Sequence, residues 1–216
     1  MATTLSRQEV ADAGLTGWTD LGDGLRTRVV TGDFTTGLAL VAAIGAAAEE
    51  AGHHPDVDLR YGRVDVRLVS HDAGGVTERD VALARTVSRL AADAGLTCDG
   101  AGLQRTEIAL DTPDVAAARR WWAAFLAYEE TPGSDDEVRD PADAQPPVWF
   151  QRSGAQEPRQ RWHLDVWVEP GRLDERVAAA VAAGGRVVDR TQAPSFVVVE
   201  DPEGNRACLC TSRDRD

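Results

Sequence analysis

The chain has 216 residues, with 43% hydrophobic and 27% charged content, a globular composition long enough for two domains. Its formal net charge is −13, acids outnumber arginines in both halves, and lysine is absent; this argues against a nucleic-acid footprint and excludes Schiff-base chemistry on lysine. No apolar run approaches the roughly 20 residues of a membrane span, and MATTLSRQEVADAGL lacks the basic start and apolar core of a signal peptide, so a soluble cytoplasmic protein is expected.

In chain order, Ser6 to Glu9 has the Ser-x-x-Glu form of a capping box and opens a short helix. GWTDL, GDG and LRTRVV read as a hairpin. DFTTGLALVAAIGAAAEEAG reads as an amphipathic helix with Phe34, Leu38, Val41, Ala42 and Gly45 on one side, Phe34 being core, and with Gly52 as its stop. VDLRY and RVDVRLVS alternate apolar and polar residues, as half-buried strands do. Thr77 to Asp80 repeats the capping-box pattern, with Val76 and Val81 as a staple, and opens a helix to about Ala94. The order α-β-β-α-β-β-α predicts an α+β unit over residues 1–98, a four-stranded antiparallel sheet with three helices on one face. TCDGAG (Thr97 to Gly102) reads as a short linker.

The second half, 103–212, carries an internal repeat. RTEIALDTPDVAAARRWWAAFLAY is a strand, a turn and a helix, and RWHLDVWVEPGRLDERVAAAVAAGG is the same again. Strand-like PVWFQRS follows the first copy; SFVVVED and ACLCTS follow the second. Polar PGSDDEVRDPADAQPP between the copies reads as a loop. The three cysteines are Cys98, Cys208 and Cys210. The last two alternate on an apolar strand, which suits buried thiols better than a disulfide framework or a CxxC metal site.

Chemistry is concentrated in EEAGHHPDVDLRYGRVDVRLVSHDAGGVTERD, which holds three of the four histidines. His53 and His54 follow a helix C-terminus, and Pro55 prevents its continuation. His71 ends the second strand of a pair, so three imidazoles could line one pocket. Imidazole titrates near neutrality and can supply an acid and a base together; a helix C-terminus favours its protonated form. Glu49, one turn before His53, is placed to orient a ring. Spacing alone leaves three readings open: solvated loop histidines, a three-His metal site, or an acid/base cluster. Glu49 alone can be a solvated helix residue, and Asp80 alone is the third residue of a capping box.

The pattern Glu49-x3-His53-His54-Pro55-x5-Tyr61-x9-His71-x8-Asp80, with GWTDL around Trp18, GDF at Gly32 to Phe34 and VTERDVALA, resembles the signature of the pterin-4a-carbinolamine dehydratases over residues 4–96. The resemblance implies dehydration of 4a-hydroxytetrahydropterin to quinonoid dihydropterin as a hydro-lyase, with no metal or redox cofactor. It implies that His53, His54 and His71 are the acid/base residues and that Trp18, Glu49 and Asp80 line the substrate. Two positions depart from the pattern: Gly52 stands where relatives often carry Asp, and Val57 where a large aromatic is common. Those departures motivate an alternative, a non-catalytic pterin-binding or assembly module on the same scaffold. Partners implied are a small pterin and further copies of the chain, with no nucleic acid and no membrane.

RTEIALDTPD, RWHLDVWVEPG and DPEGNRACLC resemble the vicinal-oxygen-chelate superfamily of glyoxalases and bleomycin-resistance proteins over residues 104–212, implying paired βαβββ modules. Glu107 and His163 occupy equivalent first-strand positions, where metal-using members carry ligands. Arg206 follows Asn205 where such members often have Glu, and Gln151 is a poor fourth ligand. The expectation is therefore no metal, with Glu107 and His163 lining a cup of unknown ligand or pairing with Arg206. Trp121, Trp122, Trp149, Trp162 and Trp167 could line that cup, although the spacing of Trp122 and Phe125 is that of core rings.

Overall fold

A computed structural model of the chain describes residues 3–154, 161–200, 204 and 206–215. Most of DPEGN, Asp201 to Asn205, and the side chain of Phe125 fall outside the described residues. The chain divides into two compact units, Met1–Gln104 with Val168–Arg172 and Thr211–Asp216, and Arg105–Trp167 with Leu173–Cys210.

The first unit is built from α1 (Arg7–Asp12), β1 (Thr19–Asp20), β2 (Leu25–Val30), α2 (Phe34–Ala51), β3 (Asp56–Arg60), β4 (Arg63–Leu68), α3 (Glu78–Asp93) and β5 (Cys98–Asp99). The strands form an antiparallel sheet in the order β1-β2-β4-β3. β5 adds a fifth strand, because Cys98 and Asp99 pair with Val29 and Arg28 of β2; this part of TCDGAG belongs to the sheet. Alternation along β2 and β4 puts Leu25, Thr27 and Val29, and Val64, Val66 and Leu68, on the buried face. Val10 of α1, Leu40 and Ile44 of α2, and Val81, Ala84 and Val87 of α3 close over it.

Both expected capping boxes are formed, at Ser6 with Glu9 and at Thr77 with Asp80. The expected face of α2 needs correction. Its buried side is Gly37, Leu40, Ile44 and Ala48, whereas Phe34 and Leu38 are 48% and 53% exposed. Both faces of this helix are apolar, so the period alone could not choose between them. Close approach chose: a Cβ at Gly37 would lie 2.7 Å from Leu59 Cδ1 on β3. By length and composition α2 could also cross a membrane, a test that the core helix of a soluble protein passes too.

The second unit repeats a βαβββ module. The first copy is β6 (Gln104–Thr112), α4 (Val115–Leu126), β7 (Glu129–Glu130), β8 (Glu137–Arg139) and β9 (Val148–Arg152). The second is β10 (Trp162–Val168), α5 (Leu173–Ala182), β11 (Arg186–Asp189), β12 (Phe196–Glu200) and β13 (Arg206–Cys210). They share one sheet in the mirrored order β11-β12-β13-β10-β6-β9-β8-β7, and in each copy the first strand pairs in parallel with the last. The polar stretch expected to be a loop contains β8. Val138 there is fully buried with Leu110, Val148 and Phe150; three residues are too few for alternation to reveal.

Candidate active site

α2 ends in a Schellman motif. Gly52 adopts the left-handed conformation (φ 58°), its N–H donates to Glu49 O at 3.2 Å, and the His53 N–H donates to Ala48 O at 3.1 Å. The chain therefore doubles back at His53 and starts β3 just after Pro55. No atom lies within 4 Å of a Cβ built on Gly52, so backbone conformation, not space, is what favours glycine there.

The turn brings the His53 imidazole onto α3. Its Nε2 lies 2.7 Å from Asp80 Oδ1, with His53 7% and Asp80 0% exposed. A carboxylate only accepts, so Nε2 donates in this contact. The other oxygen, Oδ2, accepts from the Thr77 N–H at 2.7 Å and the Ser70 hydroxyl at 2.7 Å. The Thr77 hydroxyl lies 3.1 Å from the same oxygen and 2.8 Å from Ser70 Oγ, and accepts from the Arg79 N–H. One proton per hydroxyl satisfies this buried set. Asp80 is thus both the capping-box residue and the partner of a histidine, two roles that the sequence presented as alternatives.

The other two histidines are exposed. His54 Nε2 lies 3.0 Å from Glu49 Oε1, with side-chain exposures of 62% and 79%. The ring that Glu49 contacts is therefore that of His54. His71 follows Ser70 directly, in a turn closed by N–H groups of residues 73–75 on Ser70 O. Beside it, the Arg79 guanidinium holds the Asp72 carboxyl below its usual range, and the charge of His53 adds a weaker pull in the same direction. Asp80 is consequently the node of the cluster: it binds His53, it anchors Ser70 next to His71, and His54 adjoins His53.

Trp18 stands apart from these contacts. Its Nε1 donates to Ser88 Oγ at 2.9 Å, two turns along α3 and about 12 Å from Asp80, and its ring packs on the core. Tyr61, in the β3–β4 turn, is 80% exposed. The capping-box pattern already paired Thr77 with Asp80, but sequence reasoning missed Ser70, to which nothing local pointed.

In the second unit Glu107 and His163 are both held by neighbours on their own or the adjoining strand. Glu107 accepts from Trp167 Nε1 at 2.8 Å and pairs with Arg105 at 2.6 Å. His163 Nδ1 lies 3.2 Å from Asp165 Oδ1, and this hydrogen bond raises the imidazole pKa against the opposing effect of burial. Gln151 is exposed on β9. Trp122 packs edge-on against Trp121 and Trp162, with centroids 4.7 and 5.1 Å apart.

Comparison with known proteins gives the same division. Residues 3–90 match the family model described as pterin 4 alpha carbinolamine dehydratase, and residues 107–210 match that of a glyoxalase-like domain. A protein of Thermomicrobium roseum, provisionally named pterin-4-alpha-carbinolamine dehydratase, is 48% identical over 75 residues, 35% of this chain and 81% of the relative. One of Roseiflexus sp., named in the same way, is 40% identical over 92 residues, 42% of this chain and 99% of the relative. Among solved structures, a transcriptional coactivator/pterin dehydratase from Brucella melitensis is 32% identical, with a TM-score of 0.40, over 41% of this chain and 98% of its own.

Proposed function

Since the chain belongs, through residues 3–90, to the pterin-4a-carbinolamine dehydratase family, we propose that its first unit is a hydro-lyase that removes water from a 4a-hydroxytetrahydropterin. The C4a–O bond breaks and the hydroxyl leaves as water with a proton from an acid. The N5–H proton passes to a base, and its electron pair forms the C4a=N5 bond of the quinonoid dihydropterin. Imidazoles that titrate near pH 7 can serve both ends of this elimination, and general acid–base catalysis of this kind contributes roughly 10²–10⁴ in rate.

The convergence of the histidine segments on Asp80 carries the reading. In it, His54 and His71 exchange the two protons, because they are the exposed imidazoles and Glu49 orients the first. His53 is a positioning residue. It is buried on Asp80, and it fixes the segment bearing His54 against the turn bearing His71. Glu49 and Asp80 act through these histidines. Trp18, bonded to Ser88 and packed on the core, holds the start of β1 to α3 as a structural residue. The substrate is a free pterin, and the enzyme works as a cytoplasmic homo-oligomer with the glyoxalase-like unit as an accessory domain.

The test is the rate of dehydration of a 4a-hydroxytetrahydropterin generated in situ, with the wild type and with a His54→Ala, His71→Ala variant. Acceleration by the wild type that the double variant lacks supports the assignment. A folded wild type that binds the pterin without accelerating its dehydration returns the unit to a binding or assembly scaffold.

A further inference from the structure

One sheet face of the glyoxalase-like unit carries a sulfur nucleophile that the dehydration does not use. β10 and β13 pair in parallel, and Cys208 is the register partner of Asp165. Register partners project from the same face of a sheet, and His163, two residues before Asp165, shares that face through strand alternation. Cys208 Sγ, one ring nitrogen of His163 and one oxygen of Asp165 all lie within 4.8 Å of one another. The other two cysteines have different surroundings. Cys210 is buried, at 3% exposure, and Cys98 accepts from the Ser88 hydroxyl at 3.8 Å in the first unit. Cys208 is half-buried.

Nucleophile, imidazole and orienting carboxylate are the parts of an activated thiol. His163 Nδ1 donates to Asp165 Oδ1 at 3.2 Å, which fixes the ring. Trp149 Nε1 donates to the other Asp165 oxygen at 3.1 Å, and the Trp149 ring meets the imidazole edge-on at 5.7 Å. The Asp165 hydrogen bond raises the imidazole pKa against burial, and the charge of Asp111 on β6 adds to it. A cationic imidazole beside a thiol favours the thiolate, the nucleophilic form. Arg206, two residues before Cys208 on β13, shares its face and acts in the same direction. The carboxylates of Asp165 and Asp111 act against it, but both Asp165 oxygens already accept from donors. Glu107 is held by Arg105 and Trp167, and Glu200 of β12 by Arg186. Val198, opposite Cys208 on β12, is apolar.

We infer that Cys208 is a nucleophilic thiol, with His163 as its proton partner and Asp165 positioning the ring, and that it takes α,β-unsaturated carbonyl compounds as covalent adducts. The thiol proton passes to the imidazole. Sulfur bonds to the β-carbon, the electron pair of the C=C bond moves towards the carbonyl as an enolate, and the α-carbon takes the proton back from the imidazolium. The adduct therefore needs no leaving group, oxidant or reductant. Attack on an ester or amide would instead build charge on an oxygen that requires fixed donors. The two indole N–H groups on this face, of Trp149 and Trp167, are already given to Asp165 and Glu107. A soft thiolate also suits a conjugated carbon better than a phosphoryl centre.

The test treats the full chain with limiting N-ethylmaleimide, a conjugated carbonyl probe, between pH 5 and 9, and locates the adducts by peptide mass spectrometry. Cys208 should be alkylated before Cys98 and Cys210, and its rate should persist below the pH range of an ordinary thiol, whose pKa is about 8.5. His163→Gln should slow Cys208 by about threefold or more at pH 6 and move its pH profile upward, the lower nucleophilicity of an acidic thiol limiting the difference. The Cys98 rate in the same molecules should stay unchanged, which shows that the variant is folded. Cys208→Ser should abolish the fast adduct. Alkylation of Cys208 no faster than that of Cys98 overturns the inference. So does a Cys208 pH profile that His163→Gln leaves in place, since exposure alone would then explain the reactivity. None of these readings depends on dehydratase turnover.

Discussion

His53 Nε2 and Asp80 Oδ1 lie 2.7 Å apart, and the second oxygen of Asp80 caps the helix on which Asp80 stands. One carboxylate therefore ties the end of α2, the start of α3 and the turn bearing His71 into a single buried network. Its removal should destabilise the first unit and, on the proposed dehydratase reading, slow the reaction.

Asp80→Ala strands the donors of His53, Thr77 and Ser70 in a buried place. The expected loss is about 3–5 kcal/mol, measured by urea denaturation of the full chain and followed in the first unit. Asp80→Asn should cost less, because the amide oxygen still accepts at one of the two positions.

His54→Ala with His71→Ala removes only exposed rings. Stability should stay within about 0.5 kcal/mol of the wild type, while the dehydration rate falls by roughly 10²–10⁴. Stopped-flow kinetics and denaturation on the same preparation separate the two. A parallel collapse of stability would count against the catalytic reading.

Gly52→Ala forces a Cβ into a left-handed conformation, with no neighbouring atom to clash. The cost should be backbone strain alone, about 1–2 kcal/mol. Gly52→Asn should recover part of it, since Asn and Asp enter this conformation more readily. Asp just before the histidine pair, the residue expected there from the family signature, fits the same geometry. Thermal midpoints of the two variants check the order.

Ile44→Ala should cost about 2–5 kcal/mol by leaving a cavity under the sheet, whereas Leu38→Ala should change stability by no more than about 0.5 kcal/mol. The reverse order in denaturant titrations would restore the face of α2 that the hydrophobic pattern first suggested.

Burial raises the Glu137 carboxyl pKa; the Thr131 hydrogen bond opposes this and nearby Glu107 reinforces it. A group whose folded pKa is raised contributes stability below its unfolded pKa, and that contribution is lost as pH rises through the folded value. Glu137→Gln should therefore stabilise the second unit at neutral pH. It should also flatten the pH dependence just above the ordinary carboxylate range. Unfolding curves across that window would show it.

Much of the candidate site was legible because its signals are local. The glycine stop of α2, the proline after the histidine pair and the Thr77–Asp80 capping box each act within four residues, so the sequence displays them directly. Ser70 and Asp72 were not legible as members of the site. Their roles depend on a turn whose geometry is set by pairing with Gly75 and by an ion pair to Arg79.

By itself, the sequence determined the two α+β units, the repeated strand–turn–helix of the second half and the clustering of histidines, since periodicity, caps and spacing are properties of the chain alone. The tertiary structure alone decided which apolar face of α2 is buried, that β5 and β8 are strands, and which imidazole Asp80 holds. It also brought Cys208 beside His163 and Asp165. Each of these depends on strand register or on the close approach of elements far apart in sequence. Such pairings arise only when the sheets close and their cores exclude water, and no local pattern of side chains encodes them.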